Sequence, residues 1–159
     1  MTSTYFQLIK DFQKKEFANI YLYYGEEPYY IDELSDYLTE HVLTDFEKEL
    51  NLLVMYGRDT ATATVVNSCK QFPMVGDKQL VVLREAQDMD LKKEENINLL
   101  LSYISRPQPS TILVICHKYK APPAKLLKTL NTSDKAVTVE SKRKYDNEMP
   151  VWISTQVKN

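Results

Sequence analysis

Apolar residues fall along this chain in two alternating rhythms. Five short runs are rich in apolar residues, IYLYYG (20–25), LNLLVMYG (50–57), KQLVVLREA (78–86), STILVICHK (110–118) and KAVTVESK (135–142), and the third is almost continuously so. Their β-branched and aromatic content is that of strands. Between them apolar positions recur every three or four residues, the period of a helix with one buried face. Tyr30, Ile31, Leu34, Leu38 and Val42 mark such a helix over residues 26–43, with Pro28 suited to its first turn. Residues 61–72, 91–105 and 122–131 read the same way, and Asp59 or Thr60 is placed to cap the first of these. A helix over 4–18 precedes the first strand, and another opens at 146–159.

Strands without polar alternation are expected where both sheet faces are covered. Each connection is long enough for a helical crossover, so the pattern predicts an α/β fold. Its expected form is three layers: a mainly parallel five-stranded sheet with helices on both faces. The chain reads as one domain over residues 1–159, with its core at about 18–142. Residues 146–159 are expected to lead into C-terminal domains that this sequence does not contain.

Composition narrows the chemistry. The formal net charge of the 159 residues is −2, with both signs mixed along the chain, which argues against a dominant nucleic-acid surface. The two cysteines, Cys69 and Cys116, cannot build a disulfide framework and suit a reducing compartment. The N-terminus is too polar for a signal peptide, and no apolar run approaches the roughly 18 residues of a membrane span. A cytoplasmic location is expected.

Only three glycines occur, Gly25, Gly57 and Gly76, all far apart. Both common phosphate-cradling loops need closely spaced glycines, so that main-chain N–H groups converge on a phosphate. Neither loop can be built here. The first strand-to-helix turn, Gly25-Glu26-Glu27-Pro28, instead places two carboxylates at a helix N-terminus. They complement the helix dipole as a cap would, and they would repel a phosphate. Cys116 and His117 are neighbours on a strand and point to opposite faces, which suits neither a zinc site nor a nucleophile pair. Most of the early tyrosines, Tyr21, Tyr23, Tyr24, Tyr29 and Tyr30, are expected to pack between helix and sheet.

Taken in order, YLYYGEEPYYIDEL, FPMVGDKQLVVLREAQDMD, STILVICHKYKAPPAKLLKTL and the closing PVWIS resemble the N-terminal domain of the bacterial DNA polymerase III delta subunit, over roughly residues 18–159. That subunit is part of the clamp loader of DNA replication. The resemblance implies an AAA+-like fold, related to P-loop NTPases but without a functional P-loop. VVLREA has the outline of a Walker B strand, with Arg84 where the metal-binding aspartate belongs and Glu85 after it. A cation at that position cannot hold Mg²⁺, so the charge on a transferring phosphate would go unneutralised. Gly25, Glu26, Glu27, Arg84 and Glu85 then form a degenerate, non-functional nucleotide site. His117 or Lys118 lies near the place of a sensor residue.

The resemblance also implies that an apolar tip before the third strand enters a pocket on the sliding clamp. Aligned on KQLVV, that tip is Met74 and Val75, flanked by Phe72 and Pro73. Gln71-Phe72-Pro73-Met74-Val75 has the outline of the family's clamp-binding pattern, with Met74 and Val75 where leucine and phenylalanine are usual. The alternative is that Phe72, Met74 and Val75 tuck under the sheet. The partners implied are the sliding clamp (the beta subunit), the other clamp-loader subunits in the full-length protein, and primed DNA indirectly. No membrane, cofactor or metal is implied, and no ATP hydrolysis by this domain. Lys142, Arg143 and Lys144 form a basic run that is either a DNA contact or a solvated loop. Two other functions stay open: an unusual nucleotide-binding or NTPase domain, and a nucleic-acid-binding module using that run. Nucleotide titration followed by thermal shift distinguishes the first, and steep salt dependence of binding to primed DNA the second.

Overall fold

The computed structural model describes residues 1–142. Six parallel strands make one sheet: β1 (Thr2–Ser3), β2 (Ile20–Gly25), β3 (Leu52–Tyr56), β4 (Gln79–Arg84), β5 (Thr111–Lys118) and β6 (Ala136–Ser141). Their spatial order is β1-β6-β2-β5-β4-β3. The register sets Ile20 against Leu113 and Ala136, and Leu80 against Leu52 and Ile112.

Six α-helices connect the strands: α1 (Tyr5–Gln13), α2 (Pro28–His41), α3 (Asp45–Asn51), α4 (Thr62–Cys69), α5 (Glu94–Ser105) and α6 (Ala124–Thr132). One core lies between the sheet and α1 with α2, where Leu8, Phe12, Ile31, Leu34 and Leu38 meet Tyr21, Tyr23, Val82 and Val114. The other lies between the sheet and α4, α5 and α6, where Val65, Leu100, Leu126 and Leu130 meet Leu22, Val81, Leu83 and Ile115. Alternate residues of β2, β4 and β5 therefore enter opposite cores, as the two-residue period of a strand requires. Covering both faces removes the need for polar alternation, and this explains the continuous apolar runs.

The α/β three-layer class holds, with six strands where five are expected. The sixth, β1, is two residues long and joins the edge through Thr2 and Ser3 beside Thr138 and Val139. So short a strand carries no period. Three elements, two helices and a strand, begin or end earlier or later than the pattern suggests. The first stops at Gln13, with Lys15 at a positive φ of 59°. The strand expected over 50–57 begins only at Leu52, because the preceding residues form α3. The helix expected over 61–72 ends at Cys69, and its N-cap is Ala61 with no side-chain hydrogen bond, not Asp59 or Thr60. Tyr21, Tyr23 and Tyr30 are core residues, Tyr24 is half-buried and Tyr29 is exposed. The helix expected at 146–159, with Arg143 and Lys144, lies outside the described residues.

Candidate functional site

In open parallel sheets ligands bind beyond the carboxyl ends of the strands. Here those ends are occupied by the protein's own groups. Gly25 closes β2 with φ of 135°, and a side chain there would run into the carbonyl oxygen of Ser141 at the end of β6. The Glu27 N–H donates to that carbonyl (3.3 Å), and the Ser141 hydroxyl donates to the Glu27 carbonyl (2.6 Å). The Glu27 carboxylate caps α2 by accepting from the Tyr29 N–H (3.1 Å), as the two glutamates predict. Gly25, Glu26 and Glu27 thus form a turn whose donors are turned onto its neighbours. A cleft of about 410 Å³ opens beside Gly25, and both signs line it: Glu26 and Glu140, Lys120 and Lys142. Lys142 sits 3.5 Å from Glu140.

The end of β4 and β5 is a web of ion pairs. Arg84 reaches Asp36 (2.9 Å), and Lys118 holds both Asp32 and Glu85 (2.8 Å each). Asp32 and Asp36 stand four residues apart on α2, so one helix face delivers both carboxylates to both cations. The Lys118 side chain is only 11% exposed. Burial alone would lower the Lys118 ammonium pKa, but the hydrogen bonds to Asp32 and Glu85 outweigh it and raise the value. The hydrogen bond from Lys118 in turn holds the Glu85 carboxyl below its ordinary range. Glu85 itself adopts a left-handed backbone, φ 53°, at the start of a short 3-10 turn, Ala86–Asp88. Arg84, the cation in the VVLREA strand, is thus paired with a helix aspartate. His117 is buried on the opposite face from Cys116, with Nδ1 3.0 Å from the Lys120 carbonyl, and burial lowers its pKa. Among the described residues no group of three or more His, Cys, Asp or Glu is placed to hold a metal ion, and no helix is long and apolar enough to cross a membrane.

The other end of β4 has the reverse character. Residues 71–78 form an irregular turn between α4 and β4. Its base is tied down. Gln79 donates from Nε2 to the Ser68 carbonyl (2.6 Å), and the Thr111 hydroxyl donates to the Cys69 carbonyl (2.7 Å). These bonds engage the carbonyls of the last two α4 residues, of which that of Ser68 also accepts from the Gln71 N–H (3.3 Å). Pro73 then prevents a helical conformation at Phe72. Above this base Phe72 and Met74 are each 76% exposed. Gln71 is exposed too, while Pro73 and Val75 are half-buried. Neither Phe72 nor Met74 tucks under the sheet. Gly76 turns the chain at φ of 63°, beside the Glu47 carboxylate.

Two supports of this turn have no counterpart in the sequence reading. One is α3, which carries a full capping box: the Thr44 hydroxyl accepts from the Glu47 N–H (3.2 Å), and Glu47 accepts from the Thr44 N–H (2.9 Å). Thr44-x-x-Glu47 is the sequence signal for that start. The helix hides in the pattern because Phe46 and Leu50 are exposed rather than core-facing. The other support is Asn51, its last residue, which reaches the turn from below.

Comparison with known proteins identifies the family. The family model described as "DNA polymerase III, delta subunit" matches residues 21–142. The Bacillus subtilis DNA polymerase III subunit delta is 27% identical over 120 residues, which are 72% of this chain and 35% of that protein. The solved Bacillus subtilis DNA clamp loader delta protein superposes with a TM-score of 0.74 at 28% identity, covering 87% of this chain and 42% of its own. A Thermotoga maritima DNA polymerase III gamma subunit-related protein shares the fold, with a TM-score of 0.54 and 16% identity over 89% of this chain and 47% of its own. The chain therefore spans well under half the length of the relatives it matches.

Proposed function

We propose, since the chain belongs to the DNA polymerase III delta subunit family, that it is the part of a replication clamp loader that grips the sliding clamp and helps to open its ring. The observation that carries this reading is the pair Phe72 and Met74, 76% exposed on a turn whose base is hydrogen-bonded into the sheet. Exposed large apolar side chains on a rigid mount suit insertion into a pocket, and burying each contributes about 1.5–3 kcal/mol. Gln71, Pro73 and Val75 complete the contact, with Val75 contributing least because it is already half-buried.

The domain acts by binding and not by hydrolysis. Glu27, Arg84 and Glu85 are committed to a cap and ion pairs, Gly25 is pressed against Ser141 and Glu26 is exposed, and this supports a scaffold descended from a nucleotide site without its chemistry. ATP energy then comes from the other loader subunits, and primed DNA is met through the assembly in the cytoplasm. A ligand shifts an equilibrium only by its differential affinity, so the turn must bind the opened ring more tightly than the closed one.

The test is capture by the sliding clamp of the same organism, comparing the wild-type chain with Met74→Ala/Val75→Ala. Loss of about 1.5–3 kcal/mol at Met74 alone weakens binding by roughly 10- to 150-fold. Undiminished capture by the double variant removes these residues from the site, and no capture by the wild type removes the function.

A further inference from the structure

We propose that Asn51 is the positioning residue of the apolar turn: its buried carboxamide fixes the main chain at Met74, Val75 and Lys78, so that Phe72 and Met74 face a partner in one arrangement. The role in partner binding rests on the clamp-binding reading above. The role in ordering the turn does not.

Asn51 is 1% exposed at the junction of α3 and β3. Its Nδ2 donates to the carbonyls of Val75 (2.5 Å) and Lys78 (2.9 Å), and its Oδ1 accepts from the Met74 N–H (3.2 Å). A carboxamide has two donor hydrogens and one acceptor oxygen, and all three kinds of capacity are used here on one turn. A threonine of similar size has a single donor hydrogen and could not serve both carbonyls. A leucine would leave three main-chain groups without this partner, and an aspartate would set a carboxylate against two carbonyl oxygens.

The turn needs such a brace because it has little internal order of its own. Among the described residues, positions 72–77 make no backbone–backbone hydrogen bond with one another. Pro73 restricts one φ, and Gly76 enters the left-handed region, where chain freedom is greatest. A segment like this samples many shapes unless something outside it selects one. If only a fraction is competent to bind, apparent affinity falls by that fraction. Asn51 supplies the selection from the end of a helix. Glu47, one turn earlier on the same helix row, lies against Gly76 and closes the other side.

The wild-type chain provides the first readout, by NMR. The Asn51 side-chain NH₂ protons exchange slowly with water if both are bonded, and exchange at the rate of free surface asparagines overturns the proposal without any variant. In Asn51→Ala, the Met74 amide is expected to exchange at least about tenfold faster while amides of Leu80, Val81 and Val82 keep their rates. Equal Met74 exchange in the two proteins overturns the proposal. Clamp affinity of Asn51→Ala is expected to drop about tenfold, the cost of a turn that is competent a tenth of the time. Because a smaller competent fraction scales affinity whatever the contacts, Met74→Ala should cost the same in the Asn51→Ala background as in the wild type. Unchanged clamp affinity in Asn51→Ala overturns the link to binding. If the wild type binds no clamp, the functional reading fails, and the exchange rates still decide whether Asn51 orders the turn.

Discussion

The two ends of β4 are built on opposite principles. At its carboxyl end Arg84 and Glu85 sit in a web where each charge has a partner, with Asp36, Asp32 and Lys118 arranged so that little is left to offer a ligand. At its amino end the main chain is secured by Gln79, Thr111 and Asn51, while Phe72 and Met74 are left facing solvent. A partly buried ion-pair web contributes little net stability, yet removing one partner is costly because the other is left unpaired. An exposed apolar pair costs free energy until something covers it. The contrast teaches that a strand can have its charges answered within the fold at one end while the other keeps a surface with unspent capacity to bind.

The largest effect expected comes from exchanging glycines at the two ends. Gly25→Ala meets a main-chain carbonyl at a φ that only glycine adopts readily, so it is expected to cost more than about 3 kcal/mol in chemical denaturation. Gly76→Ala also needs a left-handed backbone, but its obstacle is the mobile end of the Glu47 side chain, and about 1–2 kcal/mol is expected. Similar losses would mean that the carboxyl end is no more tightly constrained than the turn.

Lys118→Met comes next. It strips Asp32 and Glu85 of their shared cation and is expected to cost about 2 kcal/mol in the same assay, below the range for fully buried pairs because water reaches both carboxylates. Clamp binding should be unchanged, since β4 separates the web from the turn. A neutral Lys118→Met, or one that impairs binding, breaks the contrast in two different ways.

The smallest effect is on pH. His117 is held below the ordinary imidazole value by burial, and Glu85 below the ordinary carboxyl value by Lys118. Both folded values are depressed, so both contributions are complete above the unfolded values of about 6.5 and 4.3 and are lost as pH falls through the folded ones. Stability should therefore begin to fall below about pH 6.5, and His117→Gln should remove the upper part of that fall. Denaturation midpoints measured between neutral and acid pH check this, and a variant with the wild-type profile would exclude His117 as its source.

The sheet was legible because burial on both faces writes itself as uninterrupted apolar runs, and the crossovers as amphipathic ones. The parts that were not legible depend on contacts between distant residues. Thr2 and Ser3 become a strand only through their place beside Thr138 and Val139. Phe72 was read into a helix because the apolar period continues through it, yet α4 ends where Gln79 and Thr111 take its last carbonyls. Arg84 could be recognised as out of place in its motif, but nothing local reveals that Asp36 answers it. Asn51 looked like part of a strand. Its importance comes from the fold bringing residues 74–78 over it, and no pattern along the chain encodes that approach.

All six strands run the same way, so the turn and the ion-pair web lie at opposite tips of one rod, roughly 16 Å apart over the five steps from Gln79 to Arg84. On both sides that rod is laced to neighbours, β3 and β5. In the proposed clamp-gripping role, any component of the ring's pull that runs along it would load two ladders in shear, many bonds sharing the strain at once, rather than unzipping them one by one. The handle is mounted where the sheet resists tension best.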